Sequence, residues 1–271
     1  MNYRHHFHAG NFADLVKHAA LTAVLERMQA DAQPLLVIDT HAGAGGYDLP
    51  PEAARAGEAA AAARLARSDA PAAFSALKQA IEPDAAGGLF YPGSPWITAR
   101  TLRPGDRLLA CELRADDYEA LAQRLGGDDR VEVLQADGYE VATERVAGEP
   151  GRVLVLVDPP YERADDYQRV VDLLAAGLRA RPDAVFLVWA PLKDMETLDR
   201  FVRQVEALRP PAGLLAETRL RRLTDPMRLN GCALLLINDP GVAQAVETAC
   251  RWVAAELGDA GGEGRVWRLQ T

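Results

Sequence analysis

The apolar positions of the chain follow two alternating patterns. Short runs rich in branched aliphatic residues occupy positions 34–39, 106–113, 131–136, 153–157, 184–191, 215–223 and 231–238. These runs predict strands, and an unbroken run predicts a strand buried on both faces of a parallel sheet. Helical spacing covers positions 11–29, 116–125, 166–179 and 195–208, with Asn11 as a candidate cap. The alternation predicts an α/β fold with a mainly parallel sheet of seven strands and a late antiparallel hairpin.

Residues 50–89 interrupt this alternation. The stretch is rich in alanine and charged residues, favours helices and has no strand pattern. In a simple strand–helix–strand unit the next strand would begin after about 15–20 residues, whereas here it begins near Arg107. We therefore predict a main domain of residues 1–49 and 90–271, with an amino-terminal arm at 1–18 and a small helical insertion at 50–89.

A glycine-rich turn follows the first predicted strand and reads Asp39-Thr-His-Ala-Gly-Ala-Gly45. A dinucleotide-binding fingerprint would need glycine at position 48, where the chain has Asp48, so an NAD site is disfavoured. A looser Asp-x-x-x-Gly-x-Gly turn resembles that of methyltransferases. Its glycines, Gly43 and Gly45, would let the backbone approach a cofactor, with the side chain of His41 beside it.

Acidic residues stand at the ends of the next two strands. Glu112 is suited to accept hydrogen bonds from both hydroxyls of a ribose, as in nucleotide-binding folds. Asp137, with the backbone N–H of Gly138 beside it, is suited to accept from an adenine amine, although Asp-Gly alone is only a turn signal. Ser94, which precedes Pro95, is predicted to cap a helix, with a cofactor contact as the alternative.

The run at 153–157 ends in Asp158-Pro159-Pro160-Tyr161. Asp158 would lie at the carboxyl end of its strand, where open α/β sheets bind ligands. The prolines stiffen the backbone, and the Pro159 carbonyl is free to accept a hydrogen bond. A carboxylate, a carbonyl and the Tyr161 ring suit a planar heterocycle with an exocyclic amine, because acceptors stabilise charge that develops on the nitrogen. The alternative is a plain turn with Asp158 as the next helix cap.

Composition narrows the class of protein. The 271 residues are 49% hydrophobic and 25% charged, as in soluble globular proteins. No apolar run approaches the roughly 18 residues of a membrane span, and the polar amino terminus is unlike a secretion signal, so we expect a cytoplasmic protein. Cys111, Cys232 and Cys250 lie far apart and are predicted to be buried thiols. The net charge of −9 means that a nucleic-acid partner would require a local binding patch.

The amino-terminal arm offers one such patch. Tyr3, Arg4, His5 and His8 combine basic and aromatic side chains, which are suited to gripping nucleic acid and covering a site. A solvated terminus and a metal site are the alternatives. Neither a cysteine nor a nearby carboxylate completes a ligand set, so we predict no metal.

A second candidate patch is the densest positive cluster of the chain, formed by Arg219, Arg221, Arg222 and Arg228. It lies in and after the predicted strand at 215–223, beside the loop of the late hairpin. The cluster is equally compatible with a phosphate-binding patch and with a solvated sheet edge whose charges prevent aggregation.

Several motifs together resemble the RlmJ family of ribosomal RNA large-subunit methyltransferases. They are Tyr3-Arg-His-x-Phe-His-Ala-Gly-Asn-x-Ala-Asp14, Lys17-His18, the Asp39–Gly45 turn, Tyr91-Pro-Gly-Ser-Pro95, Glu112-Leu113 and Asp158-Pro-Pro-Tyr161. The resemblance runs from the first residues to the late hairpin. It implies a Rossmann-like class I fold that uses S-adenosyl-L-methionine to form N6-methyladenine in 23S rRNA, on protein-free RNA or an early assembly intermediate. We expect a monomer.

The resemblance also implies roles for individual residues. Asp158 would be the catalytic acceptor, with Pro159 and Tyr161 beside it, and the arm with Tyr3 would contact RNA together with Tyr161. The implied cofactor contacts, joined with those of the glycine-rich turn, are Lys17, His18, Asp39, His41, Gly43, Gly45, Ser94, Glu112, Asp137, Gly138 and Asp158. Methylation of DNA adenine N6 or of guanine N2 in rRNA is one alternative. A non-catalytic RNA-binding module in ribosome assembly is another.

Overall fold

The computed structural model describes residues 9–55, 59–223, 229–259 and 261–270. Its helices are α1 (Phe12–Met28), α2 (Pro51–Arg55), α3 (Ala60–Arg67), α4 (Ser75–Ala80), α5 (Ser94–Thr101), α6 (Ala115–Leu125), α7 (Gly138–Val146), α8 (Asp166–Ala180), α9 (Met195–Ala207) and α10 (Ala243–Leu257). Its strands are β1 (Leu35–Asp39), β2 (Gly46–Leu49), β3 (Glu82–Pro83), β4 (Leu89–Pro92), β5 (Arg107–Cys111), β6 (Val131–Leu134), β7 (Arg152–Val157), β8 (Val185–Leu192), β9 (Gly213–Arg219), β10 (Gly231–Ile237) and β11 (Glu263–Arg268).

The main sheet has eight strands in the order β11-β9-β10-β8-β7-β1-β5-β6. Strands β6, β5, β1, β7 and β8 are parallel, β10 runs antiparallel to β8, and β9 is antiparallel to β10. The predicted mainly parallel sheet with a late hairpin is confirmed. The predicted number of seven strands is wrong, because the carboxyl-terminal β11 pairs antiparallel with the outer edge of β9.

Both faces of the sheet are covered, so its central strands are buried throughout, as their apolar runs predict. Alternate residues of β1 belong to different hydrophobic clusters: Val37 packs in the cluster of α1 and α10, and Ile38 in that of α7, α8 and α9. Each fully buried aliphatic side chain of this kind contributes about 1.5–3 kcal/mol to folding. The site therefore rests on a rigid sheet edge.

Helix α1 begins where the sequence predicts. The side chain of Asn11 caps it by accepting from the backbone N–H groups of Ala13 and Asp14. Most of the helix is buried, because one side packs near the sheet and the other contacts the helices of residues 50–89. This burial fixes the position of polar residues that α1 carries toward the site.

Residues 50–89 contain helices α2, α3 and α4 and a 3₁₀ turn at Ala72–Phe74, as the helix-rich composition predicts. The expectation that this stretch lacks strands is wrong, since β3 pairs with β4 and β4 with β2 in a small antiparallel sheet. Leu65, Phe74 and Leu77 are fully buried in the same cluster as α1. The division of the chain into a main domain and an insertion stays a prediction.

Three further predictions concern the cysteines, membrane-spanning helices and metal binding. Cys111, Cys232 and Cys250 are free and buried, as expected. Within the described ranges, no helix has the length and apolarity to cross a membrane. Those same ranges contain no cluster of His, Cys, Asp and Glu able to hold a metal ion.

Candidate functional site

A cavity of about 460 Å³ opens where the parallel strands end. This volume is within the range of about 300–1,000 Å³ that small-molecule sites occupy. The lining residues that the sequence singled out are Lys17, His18, His41, Gly43, Ser94, Glu112, Asp137, Gly138, Asp158 and Pro159. The strand ends therefore bring most of the predicted cofactor residues around one space.

Asp39, Gly45 and Tyr161 were also predicted in the site, but they do not line this cavity. Gly45, with φ of +82°, supports the glycine bend from behind, because its carbonyl accepts from the backbone N–H of Gly93 at 2.9 Å. Its role is to shape the bend that carries Gly43.

Gly43 and Glu112 join the ends of β1 and β5. The backbone N–H of Gly43 donates to Oε2 of Glu112 at 2.9 Å, and that of Arg114 donates to Oε1 at 2.8 Å. A Cβ atom on Gly43 would lie 2.4 Å from the hydroxyl of Tyr47, and the φ of Gly43 is +60°. Burial raises the pKa of Glu112. Each carboxylate oxygen keeps a lone pair with which to accept a hydroxyl.

Asp137 and Gly138 form the turn from β6 into α7. Oδ1 of Asp137 caps the helix by accepting from the N–H of Tyr139 at 3.0 Å, and Oδ2 accepts from Nη2 of Arg169 at 2.6 Å. Burial opposes ionisation, but the hydrogen bond and charge of Arg169 together with nearby backbone N–H groups outweigh it and lower the pKa of Asp137. A Cβ on Gly138 would lie 2.0 Å from the carbonyl oxygen of Thr40, so glycine is required for this turn to lie against β1.

Ser94 and Asp39 form a buried hydrogen bond behind the cavity wall. The prediction that Ser94 caps its helix is wrong, because Gly93 is the cap residue of α5 and no side chain caps it. Instead, the Ser94 hydroxyl donates to Oδ2 of Asp39 at 2.6 Å. Asp39 is wholly buried, and this burial raises its pKa to about 6.

His41 is uncharged at neutral pH, because burial lowers its pKa to about 4. Its Nδ1 lies 2.8 Å from the hydroxyl oxygen of Thr40, which itself donates to the Leu156 carbonyl at 3.0 Å. The hydroxyl has one hydrogen, so Nδ1 of His41 is the donor and Nε2 is an acceptor. A neutral ring at this position does not repel a cationic ligand.

Asp158 lies in an ion-pair network with α1. Nζ of Lys17 is 2.5 Å from Oδ2 of Asp158 and 2.8 Å from Oδ1 of Asp14. Burial disfavours the ammonium, but the two carboxylates outweigh it and raise the pKa of Lys17. Oδ1 of Asp158 and the carbonyl of Pro159 accept no hydrogen bond from the described residues. The alternative of Asp158 as a helix cap is wrong, because Asp165 occupies the cap position of α8.

Tyr161 does not line this cavity. Its φ is +51°, an uncommon value for a bulky residue. The hydroxyl donates to the Trp189 carbonyl at 2.7 Å, and the ring centroid is 4.5 Å from that of Tyr167. Tyr47, Tyr139 and Trp189 line the cavity, and Trp189 follows Val188, the strand partner of Val157.

Sequence reasoning missed several residues of the site. Asp14 had a usable signal, since it precedes Lys17 by one helical turn, where opposite charges meet. Arg169, Tyr139, Trp189 and Leu229 also line the cavity, but no local motif marks them. Their positions depend on how distant elements pack.

The structure describes only some of the predicted RNA-binding residues. Tyr3, Arg4, His5, His8 and Arg228 lie outside the described residues. In the second cluster, Arg219 pairs with Glu217 at 2.6 Å, and Arg221 pairs with Asp259 at 3.0 Å. Among the described cluster residues, only Arg222 is exposed without an ion pair. These two ion pairs neutralise the charges of Arg219 and Arg221.

Comparison with known proteins assigns the family. The sequence model described as "Ribosomal RNA large subunit methyltransferase D, RlmJ" matches residues 32–269. The Ribosomal RNA large subunit methyltransferase J of Escherichia coli is 33% identical over 267 residues, covering 96% of this chain and 95% of that protein. Its namesake from Haemophilus influenzae is 32% identical over 246 residues, covering 89% and 88%.

A solved structure agrees with this similarity. The crystal structure of a Legionella pneumophila protein matches with a TM-score of 0.83 at 26% identity, covering 96% of this chain and 98% of that one. Family membership implies S-adenosyl-L-methionine as cofactor. The cavity fits it, since Gly43 permits close backbone approach and two fixed carboxylates, Glu112 and Asp137, suit ribose hydroxyls and an adenine amine. The chain belongs to the RlmJ family of ribosomal RNA large subunit methyltransferases.

Proposed function

We propose that this protein transfers a methyl group from S-adenosyl-L-methionine to the N6 amine of an adenosine in 23S rRNA. The observation that carries the proposal is the pair of acceptors at the end of β7, next to the cavity: Oδ1 of Asp158 and the Pro159 carbonyl. Two acceptors separated by one peptide unit match the two hydrogens of a primary aromatic amine. The family membership supports the same reaction.

The chemistry requires acceptors because the N6 lone pair is delocalised into the purine ring. Holding both N–H groups lets the nitrogen become pyramidal and direct its lone pair at the methyl carbon. When bound, the cofactor supplies an electrophilic methyl group on a sulfonium sulfur. Methylation of the amine would release one proton from the nitrogen, and the Asp158 carboxylate or water would accept it. Acceptors fixed before the reaction stabilise the charge that develops on nitrogen.

The ion pair with Lys17 orients the Asp158 carboxylate. The ammonium group of Lys17 is held by Asp14 and Asp158, and the side chains of all three are largely buried. The pair fixes the orientation of the Asp158 carboxylate while Oδ1 keeps its lone pairs for the amine. Because Lys17 is on α1, the ion pair also holds this helix against the end of β7.

A target adenosine must be unpaired or turned out of its helix to reach such a cavity. The base then needs an apolar wall. Pro160, Trp189 and Leu229 line the cavity, and we assign this wall to them. We assign to Trp189, which lines the cavity, the aromatic contact that the sequence assigned to Tyr161.

The RNA backbone requires local positive charge, since the whole chain carries −9. Lys193 and Arg222 are exposed, and neither forms an ion pair in the part of the chain that the structure describes. Leu192 and Arg219 pair with the same residue, Gly231, so Lys193 and Arg222 follow strand ends at the edge that carries the cavity. We assign them phosphate contacts.

The product analysis tests the reaction. Protein-free 23S rRNA is incubated with the enzyme and cofactor, and the digested nucleosides are examined by mass spectrometry. We expect N6-methyladenosine. Methylguanosine, or methylation confined to DNA, would instead identify another amine substrate and overturn the proposal.

The same preparation of enzyme, RNA and cofactor tests the alternative that the protein is a non-catalytic module in ribosome assembly. Calorimetry measures cofactor binding, and a tritiated methyl donor measures transfer to RNA. Tight binding without transfer would favour the module, whereas transfer that disappears in Asp158→Ala supports the enzyme. The proposed substrate implies a cytoplasmic enzyme, which we expect to act as a monomer.

A further inference from the structure

Arg169 connects α8 to the turn that is proposed to bind the cofactor's adenine. Its Nη2 donates to Oδ2 of Asp137 at 2.6 Å, and its Cζ lies 4.2 Å from the centre of the Tyr139 ring. Arg169, Asp137 and Tyr139 all line the cavity. The guanidinium is therefore fixed by a charged hydrogen bond and by an aromatic face at once.

This arrangement removes the rotational freedom of the Asp137 carboxylate. Oδ1 is held by the N–H of Tyr139, and Oδ2 is held by Arg169, so rotation about Cβ–Cγ would break both bonds. Each oxygen has a second lone pair that remains available for a ligand. Without Arg169, only the helix-cap bond would orient the group.

The Tyr139 ring keeps Arg169 in place from the other side. The His41 ring contacts Tyr139 edge-on, with centroids 5.0 Å apart and an interplanar angle of 77°. Tyr139 thus lies between a neutral imidazole and the guanidinium, and its own position is set by α7. The side chain of Arg169 is only 26% exposed, so water competes weakly for its hydrogen bond.

We propose that Arg169 is a positioning residue for the methyl donor, holding the Asp137 carboxylate in the orientation that accepts from the exocyclic amine of the donor's adenine. The inference rests on the proposed function for Asp137 as a cofactor contact. It makes Arg169 a determinant of cofactor recognition that acts through another residue. Hydrogen bonds to charged groups of this kind change affinity by about tenfold or more.

The test compares two ligands that differ only in the amine. Calorimetry measures the affinity of wild type, Arg169→Met and Arg169→Lys for S-adenosylhomocysteine and for its 6-deamino purine analogue. We expect wild type to prefer the amine by about tenfold and Arg169→Met to lose most of that preference. Affinity for the analogue should change by less than about twofold, and Arg169→Lys should restore part of the preference.

Arg179→Met serves as the matched control, since Arg179 lies near the end of the same helix, is exposed and has no ion pair among the described residues. It should retain the full preference for the amine. Thermal unfolding of every variant establishes that it is folded.

Two results would overturn the inference. One is equal loss of affinity for both ligands in Arg169→Met, which would show a merely structural role. The other is an amine preference that is absent in wild type or unchanged in Arg169→Met. Methyl transfer by wild type is assayed separately: its absence, with the amine preference intact, would count against the proposed function and still support the positioning role.

Discussion

Nζ of Lys17 lies 2.5 Å from Oδ2 of Asp158, joining the first helix to a strand end 141 positions later in the chain. The same ammonium contacts Asp14 at 2.8 Å. Asn11 and Asp14, at the start of α1, line the same cavity as Asp158. The ion pair thus couples the position of helix α1 to that of the Asp158 carboxylate.

Asp158→Asn should reduce the rate constant for methyl transfer by about 10²–10³, since it replaces a charged acceptor aimed at the reacting amine with a neutral group. Single-turnover transfer from a tritiated donor to 23S rRNA measures the effect. Asp172→Asn is the control, because Asp172 is exposed on α8 and, among the described residues, its side chain accepts a hydrogen bond from Gln168 alone. A rate for Asp158→Asn equal to that of the control would refute the role of the carboxylate.

Lys17→Met should lower the free energy of unfolding by about 3–5 kcal/mol, because it leaves buried carboxylates without their cation. The side chain of Lys17 is only 5% exposed, and its raised pKa keeps it charged at neutral pH. Urea unfolding measures the loss. Lys17→Arg preserves the charge and should lose less stability; equal losses would show that packing, and not charge, matters at this position.

Asp39 should give the protein a pH-dependent stability. Its pKa is raised from 3.8 to about 6 by burial, so the folded state holds a proton that the unfolded state releases. The associated stability is complete below the unfolded pKa and is lost as the pH rises through about 6, by on the order of 3 kcal/mol.

Asp39→Asn removes this titration. We therefore expect the unfolding free energy of Asp39→Asn to increase relative to wild type between about pH 4 and pH 7. Chemical denaturation at a series of pH values measures the difference. Parallel pH profiles for the two proteins would contradict the raised pKa. His41, whose pKa is lowered, titrates in both proteins and cancels in the comparison.

Gly138→Ala should disrupt the cofactor end of the site, because its Cβ would lie 2.0 Å from a backbone oxygen of Thr40. Relief requires the β6–α7 turn to move, at a cost of about 1–3 kcal/mol. Calorimetry with S-adenosylhomocysteine and thermal unfolding should both show the loss. Gly127→Ala is matched in chemistry and meets nothing within 4 Å, so it should behave as wild type. Unchanged cofactor affinity in Gly138→Ala would mean that Asp137 and Gly138 do not bind it.

Charge reversal tests the assignment of the RNA-facing edge. Lys193→Glu and Arg222→Glu should each weaken RNA binding and reduce the dependence of log affinity on log salt by about one unit, without changing cofactor affinity. Arg179→Glu makes the same change in charge near the carboxyl end of α8, away from the strand ends that carry the cavity. If all three reversals weaken RNA binding equally, the effect is that of net charge and the edge is not a binding surface.

The sheet and most of the site were predictable because their signals are local. Unbroken apolar runs identified β1 and β7, and the acids directly after such runs had to gather at one edge once the strands proved parallel. The Asn11 cap could be predicted for the same reason, since its contacts are with the next few residues. Lys17 and His18 entered through the family resemblance, and their contacts became visible only in the structure.

Other features depend on contacts between distant segments. The hydroxyl of Ser94 hydrogen-bonds Asp39, which is 55 positions away, and not the N–H groups of its own helix. Tyr161 does not line the cavity; its backbone has φ of +51°, and its hydroxyl donates to the Trp189 carbonyl. No spacing rule predicts either choice. The contacts of Arg169 could not be predicted from the sequence either, because its two partners come from the turn before α7 and from α7 itself.

Strand β11, the eighth strand of the main sheet, affects how one molecule can associate with another. Strand β9 is buried along nearly all of its length, and β11, whose side chains are mostly exposed, occupies its outer edge. A chain that ended before Glu263 would leave the backbone groups of an apolar strand unpaired, and a second molecule could add its own strand there. Strand β11, far along the sheet from the cavity, therefore covers the edge of β9 at which strand-by-strand polymerisation would begin.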